Sequence, residues 1–134
     1  MANQIQVTMD AARPRALGAF WQEVLGYVPE PPPPGFDTWE EALDSFGIDR
    51  SDPDAAFAIV DPEGAGPRMF FAKVPEGKTA KNRVHLDVNV GKDAMHERSQ
   101  RLVSLGAELV GEYDEPGGHW ITLRDPEGNE FCLQ

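Results

Sequence analysis

The sequence predicts an α+β fold built from two tandem copies of one βαβββ module, and three observations carry that expectation. The stretch NQIQVTM, Asn3 to Met9, is echoed by NRVHLDV, Asn82 to Val88; each opens on Asn and alternates apolar with polar residues. Downstream of each copy stands a Leu-Gly pair, Leu25-Gly26 and Leu105-Gly106. Further on, FAIVDPEG (Phe57 to Gly64) and WITLRDPEG (Trp120 to Gly128) each read as a strand that ends in an Asp-Pro turn.

The elements of the first module follow in order over residues 1–76. After the first strand, Leu17, Phe20, Trp21, Val24 and Leu25 recur at helical spacings, Pro14 suits the first turn, and Gly26 suits a left-handed stop. A weakly marked strand lies near Tyr27 to Glu30. The Pro-rich insertion, residues 30–55, then carries Pro31 to Pro34, which donate no hydrogen bonds and therefore form an extended surface arm rather than a central strand. A short helix follows, with Thr38 as its cap, Glu41 completing a capping box, and Trp39, Leu43 and Phe46 on its apolar edge. An insertion of this length reads as a lid over a bound molecule, with Trp39 resting on the ligand, or as a cover for sheet surface. The strands FAIV and MFFAKV close the module.

The second module occupies residues 77–134. Asp93 is placed to cap its helix, Met95, Leu102 and Val103 supply the apolar stripe, and Gly106 ends it. Strands are expected at Ala107 to Glu112, from Trp120, and at EFCL.

Composition narrows the function classes. A chain of 134 residues suits one domain with a real core. Asp and Glu number 23 against 12 Lys and Arg, a net charge of −11 that repels phosphate backbones and anionic lipid, so neither nucleic acid nor a membrane is an expected partner. Lys78, Lys81 and Arg83 form one basic cluster, either a solvated turn or an anchor for an anionic ligand. The lone Cys132 excludes an intrachain disulfide and suits a reducing compartment, which makes the cytoplasm the default location. No leader peptide and no membrane span are recognisable.

AFWQEVLGY (Ala19 to Tyr27), GKTAKNRVHLDV (Gly77 to Val88), LVSLGAELV (Leu102 to Val110) and WITLRDPEGNEFCL (Trp120 to Leu133) resemble the vicinal oxygen chelate superfamily. The resemblance is to its glyoxalase-like branch of glyoxalases, bleomycin-resistance proteins and dioxygenases. It implies two modules side by side, their strands curled into a cup with the helices outside. Strand alternation then turns Gln6, Thr8, His85, Asp87, Trp120, Glu130 and Cys132 toward the cup. Metal-dependent relatives hold an ion at four inward positions, which fall here on Gln6, Phe71, His85 and Cys132.

Only His85 of those four is a good ligand, so no metal or other cofactor is expected, with a divalent ion at His85 as the alternative. The favoured function is a metal-free cup that binds a small organic molecule, an anion being one option, through Gln6, Thr8, Trp39, Phe71, His85, Trp120, Glu130 and Cys132. The alternative is an enzyme: a divalent-metal lyase or dioxygenase, or a metal-free acid/base catalyst in which Asp87 orients His85. A purely structural or partner-binding role is the third class. Cys132 is expected to pack as a small thiol rather than attack as a nucleophile. His96 is expected on a solvated helix face, and His119 near the cup mouth. The resemblance also implies a homodimer, since such proteins often pair.

Overall fold

The structure is a computed structural model that describes all 134 residues. In chain order the elements are β1 (Val7–Ala11), α1 (Pro14–Leu25), β2 (Val28–Pro29), α2 (Trp39–Ser45), β3 (Ala56–Val60), β4 (Met69–Lys73), β5 (Leu86–Val88), α3 (Met95–Ser104), β6 (Glu108–Glu115), β7 (Gly118–Arg124) and β8 (Glu130–Leu133). They build two four-stranded sheets, ordered β1-β4-β3-β2 and β5-β8-β7-β6. In each sheet the first strand runs parallel to the last, and the remaining pairs are antiparallel. The sequence repeat is thus a repeat of topology, and the fold is the expected mixed α+β arrangement.

Helix α1 begins with Pro14 in its first turn and ends at Gly26, whose φ of 72° is the left-handed conformation that glycine adopts without strain. Its buried face carries Leu17, Phe20, Trp21 and Val24. Gly18 lies on the same side: a Cβ there would stand 2.4 Å from Phe57 Cδ2 and 3.4 Å from Phe71 Cδ2. The missing side chain is what allows α1 to lie so close to β3 and β4.

The core joins both halves. Phe131 of β8 meets Trp21 at a ring separation of 4.9 Å and Phe20 at 6.0 Å. Trp21 Nε1 donates a buried hydrogen bond of 3.0 Å to Asp125. Glu127 accepts from the backbone N–H groups of Ala12 and Arg13, at 2.6 and 3.1 Å, just ahead of α1. The second Asp-Pro turn therefore bolts the first helix in place, meeting free N–H groups where the helix has no capping side chain of its own.

Several expected boundaries move. The first strands begin later than the repeats suggest, at Val7 and Leu86. In the second copy the cause is local: Asn82 N–H donates to the Glu130 carboxylate and Asn82 Nδ2 to the Glu130 carbonyl, so the chain crosses the end of β8 instead of pairing with it. Helix α3 is preceded by Ala94 with no side-chain cap, and Asp93 sits in the turn before it. Strand β6 extends to Glu115, because a tight hairpin pairs that residue with Gly118, and it carries an irregularity between Leu109 and Gly111. The α2 cap forms as expected, Thr38 Oγ1 accepting from Glu41 N–H at 3.1 Å; the Glu41 carboxylate reaches back to Asp37 rather than to Thr38.

Candidate functional site

Strand register sorts the side chains by face. In the first sheet Val7 pairs with Met69 and Met9 with Phe71, while Thr8 pairs with Phe70 and Asp10 with Ala72. Met69 and Phe71 are fully buried under α1. Phe71 is therefore a core residue and not part of the cup; Phe70 takes the position expected of it. The first module carries two extra residues between its Asp-Pro turn and its last strand, so the counterpart of Cys132, seven residues after Asp125, falls nine residues after Asp61, at Phe70; Phe71 is one residue further and therefore on the opposite face.

The second sheet supplies most of the polar floor. Asp87 and Thr122 both pair with Cys132, placing the three on one face. His85 Nδ1 lies 2.9 Å from Asp87 Oδ1, and Thr122 Oγ1 lies 3.3 Å from Cys132 Sγ. Donor atoms of His85, Asp87 and Cys132 fall within 4.8 Å of one another. Trp120, on the same face two residues before Thr122, stacks on Tyr113 at 5.6 Å and 22°. Burial raises the proton affinity of the Cys132 thiol and the Asp87 carboxylate adds to that, against the opposing hydrogen bond from Thr122 and the charge of Lys81. The thiol is held in its protonated form, as expected of a packed cysteine.

Glu130 shares this side of the sheet but is committed elsewhere. Its carboxylate accepts from Asn82 N–H at 3.0 Å and pairs with Lys78 at 3.1 Å. Burial pushes its proton affinity up, yet these bonds outweigh it and hold the group at about 2. Glu130 anchors the strap that delivers His85 and is not a free ligand group.

On the first sheet a network emerges that sequence reasoning missed. Gln6 Oε1 accepts from Arg68 Nη1 at 2.9 Å, and Gln6 Nε2 donates to Thr8 Oγ1 at 3.2 Å. Arg68 is paired with Glu30 at 2.8 Å and stands 5.3 Å from the Phe70 ring. Trp39 Nε1 donates to the Glu30 carbonyl at 2.8 Å, so the insertion is tied to the same chain of contacts. The one sequence sign of Arg68 was its place in GAGPRM, a segment whose length hid its register.

Between β1 and the segment that leads into β5 lies a cavity of about 420 Å³ whose walls include Thr8, Trp21, Asn82, His85 and Glu127, next to but not including Asp87, Cys132, Thr122 and Trp120. That volume lies within the usual range of small-molecule sites, about 300–1,000 Å³. Lys78 and Glu130 also reach its wall.

Four metal corners of the kind the resemblance implied do not fit these residues. Phe70 carries no donor atom, and the Gln6 carbonyl is already bonded to a guanidinium, whose charge opposes a cation. What the chain offers is one imidazole, one carboxylate and one thiol, all from the second sheet.

Paired βαβββ sheets around a shared hollow define the vicinal oxygen chelate class of proteins. Within it, the chain belongs to the glyoxalase-like domain family, whose profile matches residues 6–134. Among solved structures, a point mutant of the fosfomycin resistance protein FosX from Listeria monocytogenes, complexed with Mn(II) and 1S,2S-dihydroxypropylphosphonic acid, is similar with a TM-score of 0.70 and 14% identity, over 100% of this chain and 90% of that one. A glyoxalase/bleomycin resistance protein/dioxygenase family enzyme from Burkholderia phytofirmans PsJN gives 0.70 at 18% identity, over 98% and 97%. A possible glyoxalase from Bacillus cereus gives 0.67 at 12%, over 100% and 99%. At these identities the likeness is one of fold. No curated protein matches the chain. No helix is long and apolar enough to cross a membrane.

Proposed function

We propose that the chain binds a small organic anion in its cup, without an ion at the four corners that metal-dependent relatives use. The observation that carries this reading is the Arg68–Gln6 hydrogen bond, which puts a guanidinium beside the corner where a cation would need a free donor. Across the hollow, the His85–Asp87 pair and Thr122 supply directed hydrogen bonds, and Trp120 offers an aromatic wall. FosX was crystallised with a phosphonic acid, which supports an anionic organic ligand as the class to try first. The tether from Trp39 to Glu30 supports the insertion as a lid on the same site.

A second reading rests on the clustering of His85, Asp87 and Cys132. A soft thiolate, an imidazole and a carboxylate would suit zinc, held by the second sheet alone, and would make the protein a metal-dependent enzyme. Bound there, an ion would supply Lewis-acid polarisation of a ligand oxygen. With no ion, His85 fixed at Nδ1 by Asp87 presents Nε2 as a general base.

Elemental analysis of protein purified without added metal or chelator, with tryptophan-fluorescence titrations of small phosphonic and carboxylic acids, separates the readings. Saturable quenching that weakens in both Arg68→Ala and His85→Ala supports the binder. Stoichiometric metal that disappears in His85→Ala overturns it in favour of the metalloenzyme. A homodimer belongs to the same proposal, and light scattering on the eluted protein checks it.

A further inference from the structure

Of the three histidines, His96 and His119 lie away from the cup. His119 is two residues before the core residue Ile121 on β7, so it faces the α3 side of the sheet, opposite to the cup mouth where it was expected. There His119 Nε2 lies 3.2 Å from Glu112 Oε1 of β6, and His96 Nε2 of α3 closely contacts the same oxygen. The two rings are 6.3 Å apart and inclined at 61°. Three elements thus bring two imidazoles and a carboxylate to one point.

We propose that His96, Glu112 and His119 form a divalent transition-metal site, of the kind that takes zinc or nickel, on the outer face of the second sheet and independent of the cup. Two imidazoles and one carboxylate are the donor types that such ions prefer, and three protein ligands leave a position for water. One donor pair already has the spacing of ligands on a shared ion. Donors about 2.0–2.1 Å from a tetrahedral ion stand about 3.3 Å from one another, and the His119–Glu112 separation is 3.2 Å. His96 must move outward to share the ion, and its side chain, 63% exposed, is free to do so. His119 is already fixed, being only 18% exposed.

One feature limits the affinity. Coordination through Nε2 places the ring proton on Nδ1, and His119 Nδ1 is buried with no hydrogen-bond partner. A ligand imidazole lacking that orienting bond binds its metal more weakly, by about 10–100-fold. The site therefore holds its ion less tightly than one whose imidazoles are all oriented by a second hydrogen bond, and its ion clamps α3 to the β6–β7 hairpin.

The test is calorimetric titration of zinc, then nickel, into metal-stripped protein carrying His85→Ala, which removes the imidazole of the cup. One ion per chain with a dissociation constant below about 100 µM, weakened at least about tenfold by His96→Ala and by Glu112→Gln, supports the site. His96 is exposed, so that variant folds and keeps the result readable; circular dichroism checks it. Failure of the His85→Ala protein to bind zinc or nickel would overturn the proposal, as would binding unchanged by His96→Ala and Glu112→Gln. Neither result bears on the organic-anion reading of the cup.

Discussion

Glu130→Gln tests whether the strap that carries His85 is held by a charged anchor. The substitution keeps the side-chain shape and one acceptor but removes the charge that Lys78 and the Asn82 N–H both meet. Hydrogen bonds to charged groups contribute about 1.5–3 kcal/mol, so a loss of about 2 kcal/mol is expected at neutral pH. That corresponds to a melting temperature lower by about 7 °C for a chain of this size. The pH dependence gives the signature. Wild-type Glu130 is held at about 2 against an ordinary 4.5, so its folded proton affinity is depressed. Its contribution is fully present above pH 4.5 and is lost as pH falls toward 2. Lys78 still touches solvent, which keeps the effect below the ceiling of about 3 kcal/mol that a shift of this size implies. Urea unfolding of both proteins at pH 7 and pH 3 measures the gap, and the other carboxylates cancel in the difference. A gap as wide at pH 3 as at pH 7, or a variant no less stable than wild type, would refute the anchor.

Gly18→Ala should destabilise, because the new methyl meets Phe57 at 2.4 Å; overpacking costs about 1–3 kcal/mol against the roughly 1 kcal/mol by which alanine favours a helix. A melting temperature lowered by about 4 °C is expected, and a higher one would mean that α1 is not seated as described. Cys132 should react with iodoacetamide at pH 8 at least about tenfold more slowly than a free thiol, since burial and then Asp87 raise its proton affinity. Asp87→Asn should speed that reaction, as mass spectrometry of the alkylated chain would show.

The parts that could be read from sequence were those written in local chemistry and repeated. Pro14, Gly26 and the apolar spacing of Leu17 to Leu25 specify α1 without help from the rest of the chain. The doubled Asp-Pro turns gave away the modules, because a strand ending in such a turn twice over is hard to produce otherwise. Tertiary register was hidden. Phe70 and Phe71 are adjacent and chemically identical, so only the pairing of β1 with β4 decides which one faces the hollow. The tasks of Glu130 and Glu127 were equally hidden, because their partners at Asn82, Ala12 and Arg13 lie far away in sequence. His96 and His119 look like isolated surface residues until α3 packs on the hairpin and Glu112 comes between them.

The two halves share a topology but no longer share a chemistry, and that difference shapes what the hollow can hold. In the first half the inward position beside β1 is an amide bonded to a guanidinium that Glu30 balances; in the second it is an imidazole bonded to a carboxylate. A symmetric cation cage needs comparable donors from both sides, which the first half withholds. On the proposed anion-binding reading, a molecule with distinct ends is matched better, its acidic group toward Arg68 and its hydrogen-bonding end toward His85 and Asp87. The insertion reinforces the asymmetry, since Trp39 ties it to Glu30 in the first half alone. Ordering that segment and fixing the Arg68 charge are linked through one residue, Glu30, so on the same reading a ligand that engages Arg68 would act on the insertion as well.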